Sequence, residues 1–204
     1  MLEPDAFARS DETPDDLFYR QPRFVEHIDD VAIADVERFH RERLPAGGAI
    51  LDLMSSWVSH LPADVAFARV AGLGLNAAEL ARNPRLDSSV VHDLNANPVL
   101  PFPDASFDAA IICVSIQYLT QPVAVLRDLA RVVRAGGPAV ITFSNRCFPT
   151  KAVAIWRALD DDDHLKLVAH YFIEAGWNEV EHVRSPMRPA DPLYAVIAAS
   201  PPRK

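Results

Sequence analysis

Short apolar runs alternate with segments of helical periodicity through most of the chain. The runs lack the regular alternation of inward and outward residues that marks a half-exposed strand, which is typical of parallel strands covered on both faces. The predicted strands are 49–53, 69–73, 89–92, 107–114 and 139–143, and the predicted helices between them are 61–68, 76–83 and 122–137. Strand and helix repeated in this order predict right-handed crossovers and a doubly wound α/β sheet.

Both ends of the chain extend this pattern. A helix is predicted to begin after Asp29 or Asp30 and to end near Leu44, where Leu-Pro-Ala-Gly-Gly stops it. Towards the other end, a helix over 164–176 and strands over 179–185 and 193–199 predict an antiparallel pair at one edge of the sheet. We expect an N-terminal arm and helix over 1–44, followed by an α/β domain over 45–204, as one domain overall.

The first 28 residues are acidic and irregular, but they contain large apolar side chains at Phe18, Tyr19 and Phe24. A disordered tail seldom carries such side chains. We therefore expect an ordered arm that covers the ligand pocket as a lid and excludes water from it.

Composition narrows the function. With 204 residues, a formal net charge of -8 and an isoelectric point near 5.3, the protein would repel nucleic acid. The longest nearly uncharged stretch, 109–126, contains polar residues and a proline, so no membrane span is expected, and the acidic N-terminus predicts a cytoplasmic location. The oligomeric state stays open.

Two groups of potential metal ligands give no metal site by their spacing. Cys113 and Cys147 form neither a metal motif nor a disulfide framework. The four carboxylates of 160–163 stand just before a helix, where its dipole favours negative charge, so we interpret them as a helix cap. No metal is expected.

Three stretches carry a resemblance to a known family. They are "AILDL" with its following turn, "VVHDLNANPVLPFPDASFDAAIICVSIQYL" and "VLRDLARVVRAGGPAVITFSN". Together they resemble class I S-adenosylmethionine-dependent methyltransferases of the small type 11 kind, the group that includes quinone-biosynthesis enzymes. The resemblance implies a Rossmann-like sheet of six parallel strands and one reversed last strand, with S-adenosylmethionine across the carboxyl ends of the first half. That edge is also where open α/β sheets bind ligands in general.

The first turn departs from the family's pattern. Asp52 stands at the family's acidic strand-end position, but Met54, Ser56 and Val58 stand where the family has glycines. Glycines there let the backbone approach the ligand and expose amide donors at a helix N-terminus. We expect the hydroxyls of Ser55 and Ser56 to replace part of that function, and Trp57 to point away or to form a wall.

The remaining cofactor contacts are assigned through the same resemblance. Gly74 occupies the position of the family's ribose-binding acid, so Asn76 is either a substitute ribose contact, a plain helix N-cap, or both. Asp93 would accept from the adenine amino group, or would only cap its own turn, and Leu94 would offer its backbone N–H. The end of strand four, with Cys113 and Ser115, would lie beneath the methionine portion.

Polar residues after strands four and five are predicted to face the methyl acceptor: Gln117, Tyr118, Asn145 and Arg146. Arg146 would clamp an anionic substrate or simply pair with an acid. Methyl transfer from a sulfonium needs little beyond in-line positioning, so a general base is optional. The candidates for one are His27, His60 and Tyr19.

The sequence supports two functions from different classes. The first is methyl transfer to an unidentified small molecule, and the second is a non-catalytic binding or scaffolding protein that has kept the fold. A nicotinamide oxidoreductase is disfavoured because its glycine fingerprint is absent, and a serine hydrolase because no Gly-x-Ser-x-Gly elbow occurs.

Overall fold

A computed structural model describes residues 4–202, which form α-helices around one seven-stranded sheet. The first three residues of the predicted arm and the last two of the predicted α/β domain lie outside this range. The strands are β1 Ala49–Leu53, β2 Arg69–Gly74, β3 Ser88–Val91, β4 Ala109–Cys113, β5 Pro138–Phe143, β6 Asn178–Arg184 and β7 Tyr194–Ala199.

The strand order is β3-β2-β1-β4-β5-β7-β6. The first five strands pair in parallel, and β7 runs antiparallel to both of its neighbours, β5 and β6. Six strands therefore point one way and one is reversed. The doubly wound sheet and the antiparallel pair at one edge are confirmed, and the architecture is the Rossmann-like one that the resemblance implies.

Six α-helices and two short 3-10 helices accompany the sheet within residues 4–202. The α-helices are α1 Asp15–Phe18, α2 Asp30–Arg43, α3 Ala77–Arg82, α4 Pro122–Val132, α5 Ala154–Ala158 and α6 Asp161–Glu174, and the 3-10 helices are Pro4–Phe7 and Ile116–Tyr118. Asp29 caps α2 by accepting from the backbone N–H of Ala32 at 2.9 Å, as the sequence predicts. None of these helices has the length and apolar character needed to cross a membrane.

The helix predicted over 61–68 does not form, and this prediction is wrong. Backbone hydrogen bonds from Gly47 to the carbonyl of Ala66, at 2.8 Å, and from Ala68 to the carbonyl of Gly48, at 3.0 Å, hold the segment against the start of β1. Chain that donates and accepts across to another segment cannot also satisfy itself as a helix. Pro62, which lacks an N–H, adds to the effect. The link between β1 and β2 is therefore an irregular loop.

Both faces of the central strands are buried, which explains the missing alternation in the sequence. Leu51 of β1 belongs to the large core cluster that includes Leu129 of α4, whereas its neighbour Ile50 belongs to a second cluster on the other side with Leu44. Phe39 of α2 packs in a third cluster with Ala195 of β7. With no polar face required, the strands can be apolar throughout.

Candidate functional site

A cavity of about 320 Å³ opens at the carboxyl ends of the parallel strands, between the sheet and the N-terminal arm. This is near the lower end of the range for small-molecule sites. Thirteen of the fifteen residues that the sequence predicts for the site line it: Tyr19, His27, Asp52, Ser55, Ser56, His60, Asn76, Asp93, Leu94, Cys113, Ser115, Tyr118 and Arg146.

The other two predicted residues, Gln117 and Asn145, do not line the cavity, and their assignment to the acceptor side is corrected. Gln117 belongs to the 3-10 helix after β4, and its side chain turns back so that Nε2 donates to the carbonyl of Val114 at 2.9 Å. It thereby supports a residue that does line the cavity. The side chain of Asn145 is exposed.

Asp52, at the end of β1, organises the turn that follows. Its carboxyl group is 2 % exposed and accepts from the hydroxyls of Ser55 and Ser59, each at 2.6 Å. Burial raises the pKa of Asp52 to about 7, although both hydrogen bonds act to lower it. Ser59 also accepts from Nδ2 of Asn83 at 2.8 Å, so the turn is tied to α3. Ser59 was not predicted from the sequence, because it lies beyond the turn on which the resemblance rests.

The turn lies directly against the end of β2. The backbone N–H of Ser55 donates to the carbonyl of Leu73 at 2.8 Å, and the carbonyl oxygen of Ser55 occupies the space that a β-carbon at Gly74 would need. Gly74 is therefore required for this close approach.

No helix follows the turn between β1 and β2, so this turn offers a ligand no amide donors from a helix N-terminus. The backbone N–H groups of Ser56, Trp57 and Val58 nevertheless have no hydrogen-bond partner in residues 4–202, and all three residues line the cavity. Trp57 does form a wall: its indole Nε1 donates to the carbonyl of Val25 in the arm at 3.1 Å.

Glu79, on the first turn of α3, is a cavity residue that the sequence analysis missed. Its carboxylate accepts from the hydroxyl of Ser56 at 2.7 Å and from the backbone N–H of Arg23 at 2.7 Å. Ser56 is thus already hydrogen-bonded by the protein. The signal in the sequence was the helical register, which places Glu79 one turn from the N-cap Asn76 and so near the strand end.

Asn76 acts as the N-cap of α3. Its Oδ1 accepts from the backbone N–H groups of Ala78 and Glu79, at 2.9 and 3.1 Å, and its Nδ2 donates to the carbonyls of Tyr19 and Arg20, at 2.9 and 3.1 Å. All four hydrogen-bonding positions of the amide are used. Of the two interpretations of Asn76, the structure gives the helix cap, and the side chain also anchors the arm.

Asp93 and Leu94 follow β3 at the rim of the cavity. One carboxylate oxygen of Asp93 accepts from the backbone N–H groups of Asn95 and Ala96, at 2.9 and 3.2 Å. The other oxygen, and the backbone N–H of Leu94, have no partner in the described part of the chain. Asp93 therefore caps its own turn and keeps one acceptor free.

The end of β4 forms another side of the cavity. Burial raises the pKa of the Cys113 thiol to about 12, so the thiol is protonated at neutral pH. The hydroxyl of Ser115 is buried without a hydrogen-bond partner. Val114 between them has a φ of 43°, a left-handed conformation that β-branched residues rarely adopt.

Left-handed backbone recurs around the cavity. Five non-glycine residues in the described range have positive φ, and three of them, Met54, His60 and Val114, line the cavity. Such conformations cost free energy and cluster at functional sites. Their concentration around this cavity therefore supports its assignment as the candidate functional site.

The arm is fastened over the cavity by buried charges. Asp15, 4 % exposed, accepts from Nη1 of Arg9 at 2.8 Å and from Nδ2 of Asn95 at 2.8 Å, and it lies 3.1 Å from Nζ of the fully buried Lys151. Lys151 also donates to the carbonyl of Thr13. Burial acts to raise the pKa of Asp15, but the hydrogen bonds from Asn95, Arg9 and Lys151 outweigh it and lower the pKa.

Aromatic side chains from three segments meet beside this fastening. Phe148, in the loop after β5, stacks on Tyr118 with ring centroids 5.9 Å apart, and edge-on contacts join it to Tyr19 and His27 at 6.5 and 5.3 Å. The hydroxyl of Tyr118 accepts from the backbone N–H of Phe148 at 2.8 Å, and burial raises the pKa of Tyr118 to about 12. Burial also raises the pKa of Tyr19.

The two candidate histidines are neutral at physiological pH. Burial lowers the pKa of His60 to about 4, and loss of hydration lowers the pKa of His27. His40, behind the cavity, donates from Nδ1 to the carbonyl of His60 at 3.0 Å. A neutral imidazole has the protonation state of a base, although a pKa near 4 makes His60 a weak one.

The remaining predictions concern charges outside the cavity's centre. Arg146 pairs with Asp191 at 2.8 Å, which is the simpler of its two interpretations. Asp160 caps α6 by accepting from the backbone N–H of Asp163 at 2.9 Å. Within residues 4–202, no group of three or more histidine, cysteine or acidic side chains is arranged to hold a metal ion, and Cys113 and Cys147 are free thiols.

A family model for a methyltransferase domain matches residues 54–141, from the turn after β1 into β5. No curated protein matches the chain.

Several solved structures share the fold. An S-adenosylmethionine-dependent methyltransferase from Aquifex aeolicus is 13% identical with a TM-score of 0.60, and the match covers 98% of this chain and 100% of that one. Phosphoethanolamine N-methyltransferase 2 from Haemonchus contortus, in complex with S-adenosyl-L-methionine, is 14% identical with a TM-score of 0.58, covering 84% of this chain and 52% of that one. The [4+2]-cyclase SpnF is 15% identical with a TM-score of 0.63, covering 83% and 82%. At these identities the likeness shows the fold, which serves more than one chemistry.

Proposed function

We propose that this protein transfers a methyl group from S-adenosylmethionine to a small molecule. The observation that carries the proposal is the cavity itself: it lies at the carboxyl ends of β1, β2 and β4, and most of its lining residues fall within the segment that the methyltransferase-domain model matches. The match to structures of S-adenosylmethionine-dependent methyltransferases supports the same assignment.

The polar groups left unpaired around the cavity fit the cofactor's two polar ends. A free carboxylate oxygen of Asp93 and the free N–H of Leu94 suit the amino group and a ring nitrogen of adenine. The free N–H groups of Ser56, Trp57 and Val58 suit the carboxylate of the methionine portion. None of these groups has a hydrogen-bond partner within residues 4–202, and their grouping around one cavity suits a polar ligand.

The bound cofactor would supply an electrophilic methyl group on a positively charged sulfur. The residues of this chain would bind both reactants, hold them in line and keep water out. The arm, closed by Asp15 and Lys151, would exclude water, and the neutral imidazole of His27 would be positioned to take a proton from the acceptor. The quinone-biosynthesis group stays a proposal that rests on the resemblance alone.

Two observations favour the alternative, a non-catalytic protein that retains the fold. The turn after β1 packs onto Gly74 and leads into no helix, and Asn76 is fully engaged by the backbone. A binding or scaffolding role would explain why no helix follows the turn and why no free side chain at Asn76 remains for a ribose. The unpaired N–H groups of the turn favour the first function, because they can donate to the carboxylate of a bound cofactor.

Calorimetric titration of the full chain with S-adenosylhomocysteine tests the two functions. A methyltransferase binds it, with a rise in melting temperature through mass action. Absence of both heat and thermal shift at millimolar ligand would exclude the proposed function and leave the non-catalytic one. If S-adenosylhomocysteine binds, a crystal structure of the complex would show whether adenine lies beside Asp93 or elsewhere.

A further inference from the structure

The arm contributes a guanidinium group whose hydrogen-bonding capacity is mostly unused. Arg23 lines the cavity, and the side chain makes one hydrogen bond in the described structure, from Nη2 to the carbonyl of Phe18 at 3.0 Å. Nη1 is buried and has no partner. An arginine has five N–H donors, so four of them have no partner in the described structure.

The charged groups beside Arg23 either are paired elsewhere or contact only its backbone: Glu79 accepts from the backbone N–H of Arg23 and from the hydroxyl of Ser56, each at 2.7 Å. Arg146, the second arginine of the lining, is paired with Asp191, and Asp15 is held between Arg9 and Lys151. No ion pair within residues 4–202 includes Arg23. A guanidinium that no carboxylate contacts, in a partly dehydrated site, favours an anionic ligand.

The guanidinium packs against aromatic rings, and one of them belongs to Phe148 in the loop after β5, where the sequence predicts the acceptor side. Its central carbon is 4.8 Å from the ring centroid of Phe18, 5.5 Å from that of Tyr19 and 5.3 Å from that of Phe148. Phe148 follows β5, whereas Asp93 follows β3, and three strands separate β5 from β3 in the sheet. Ring contacts hold the guanidinium face and leave its donor edge available.

We propose that the methyl acceptor is a flat, apolar molecule that carries a carboxylate-like anion, and that Arg23 binds this anion. The aromatic side chains of Tyr19, Tyr118 and Phe148 supply the surface for the flat body. The anion would accept from the N–H donors of Arg23 that make no hydrogen bond within residues 4–202. This inference rests on the proposed function and names the substrate class of the same site.

Isothermal titration of the full chain with a matched pair of probes tests the inference. With S-adenosylhomocysteine present at saturation, 2-naphthoate is expected to bind at least about tenfold more tightly than its neutral isostere 2-naphthamide, since hydrogen bonds to charged groups are roughly twice as strong as neutral ones. Equal affinities for the two probes would overturn the inference.

Variants at two arginines of the arm assign the effect. Arg23→Gln is expected to lower the affinity for 2-naphthoate at least about tenfold and to leave 2-naphthamide unchanged, and Arg23→Lys, which keeps the charge but loses the planar fork, is expected to fall between. Arg20→Gln is the matched control, because the Arg20 side chain is exposed and outside the cavity lining. An unchanged affinity for 2-naphthoate in a folded Arg23→Gln variant would contradict the proposal.

A third comparison separates this inference from the proposed function. If Arg23→Gln weakened S-adenosylhomocysteine but not 5′-methylthioadenosine, which lacks the carboxylate, Arg23 would serve the cofactor, and the acceptor inference would fail while methyl transfer stood. If the wild-type chain bound no S-adenosylhomocysteine, the proposed function would fail and the inference with it. Binding of S-adenosylhomocysteine without discrimination between the naphthalene probes would remove the inference alone.

Discussion

The ammonium group of Lys151 lies 3.1 Å from the carboxylate of Asp15, and neither side chain is more than 3 % exposed. The contact joins the N-terminal arm to the loop after β5. Because both charges are buried, loss of one partner leaves the other without compensation, which is far more costly than loss of a surface pair.

Asp15→Asn is therefore expected to lower the free energy of unfolding by about 3 kcal/mol, measured by urea denaturation, because it leaves Lys151 buried without its nearest carboxylate. Asp16→Asn is the control. Asp16 is the next residue, is exposed and carries the same charge, so it should change stability by less than about 0.5 kcal/mol. Equal stability losses in the two variants would show that the buried pair does not hold the arm.

Gly74→Ala tests the packing of the turn against β2. The added β-carbon would meet the backbone carbonyl of Ser55, which cannot move without displacing the turn, so we expect a loss of about 1–3 kcal/mol in stability and weaker binding of S-adenosylhomocysteine. Gly72→Ala on the same strand is the control, since its β-carbon would meet only the flexible side chain of Leu86. A Gly74→Ala variant no less stable than Gly72→Ala would show that the turn tolerates displacement.

Two substitutions at Asp93 separate its role in capping the turn from its proposed contact with adenine. Asp93→Asn keeps an Oδ1 acceptor for the backbone N–H groups of Asn95 and Ala96 but replaces the free oxygen with a donor. We expect this variant to weaken the binding of S-adenosylhomocysteine by about 1–3 kcal/mol, the cost of an unsatisfied polar group. The melting temperature of the unliganded protein should change little. Asp93→Ala should lower both the affinity for S-adenosylhomocysteine and the melting temperature, because it removes the turn cap as well as the free oxygen. Wild-type affinity in Asp93→Asn would place adenine elsewhere.

The raised pKa of Asp52, about 7, gives a pH-dependent stability with a defined sign. The folded protein binds this proton more tightly than the unfolded chain, so the contribution is fully present below the unfolded pKa near 4. It is lost as pH rises through about 7, with a slope of up to ~1.4 kcal/mol per pH unit. His40 and His60, whose pKa values fall to about 4, act in the opposite direction between 4 and 6.5.

The difference between the wild type and Asp52→Asn therefore isolates the Asp52 contribution, because the histidines cancel. Unfolding free energies measured from pH 4 to 8 should show the wild type losing stability relative to the variant as pH rises. A difference that is constant across this range would mean that the Asp52 carboxyl group titrates normally in the fold.

The sequence predicted the sheet because β1, β2, β4 and β5 are buried on both faces, which makes each of them a distinct apolar run. It failed at 61–68, where helical periodicity was overridden by backbone hydrogen bonds to Gly47 and Gly48. Those bonds join residues about 20 positions apart and leave no local signal.

The site was predicted unevenly for a similar reason. Asp52 and Asp93 stand at strand ends, and strand ends fix which residues reach the rim, so position in the sequence was enough to bring them to the cavity. Gln117 and Asn145 also follow strands, but rotation within a 3-10 helix and a loop turns them away. Arg23 was missed because it reaches the cavity from the arm, whose path depends on the contacts of Asp15 and Asn76 rather than on any periodic pattern.

The left-handed backbone of Val114 is held from both sides, since its N–H donates to Thr142 at 2.9 Å and its carbonyl accepts from Gln117 at 2.9 Å. A valine in this conformation stores roughly 1–3 kcal/mol of strain. Directed evolution for heat resistance alone should therefore select glycine or asparagine at position 114, and the surviving clones should have a less rigid wall at this end of the cavity.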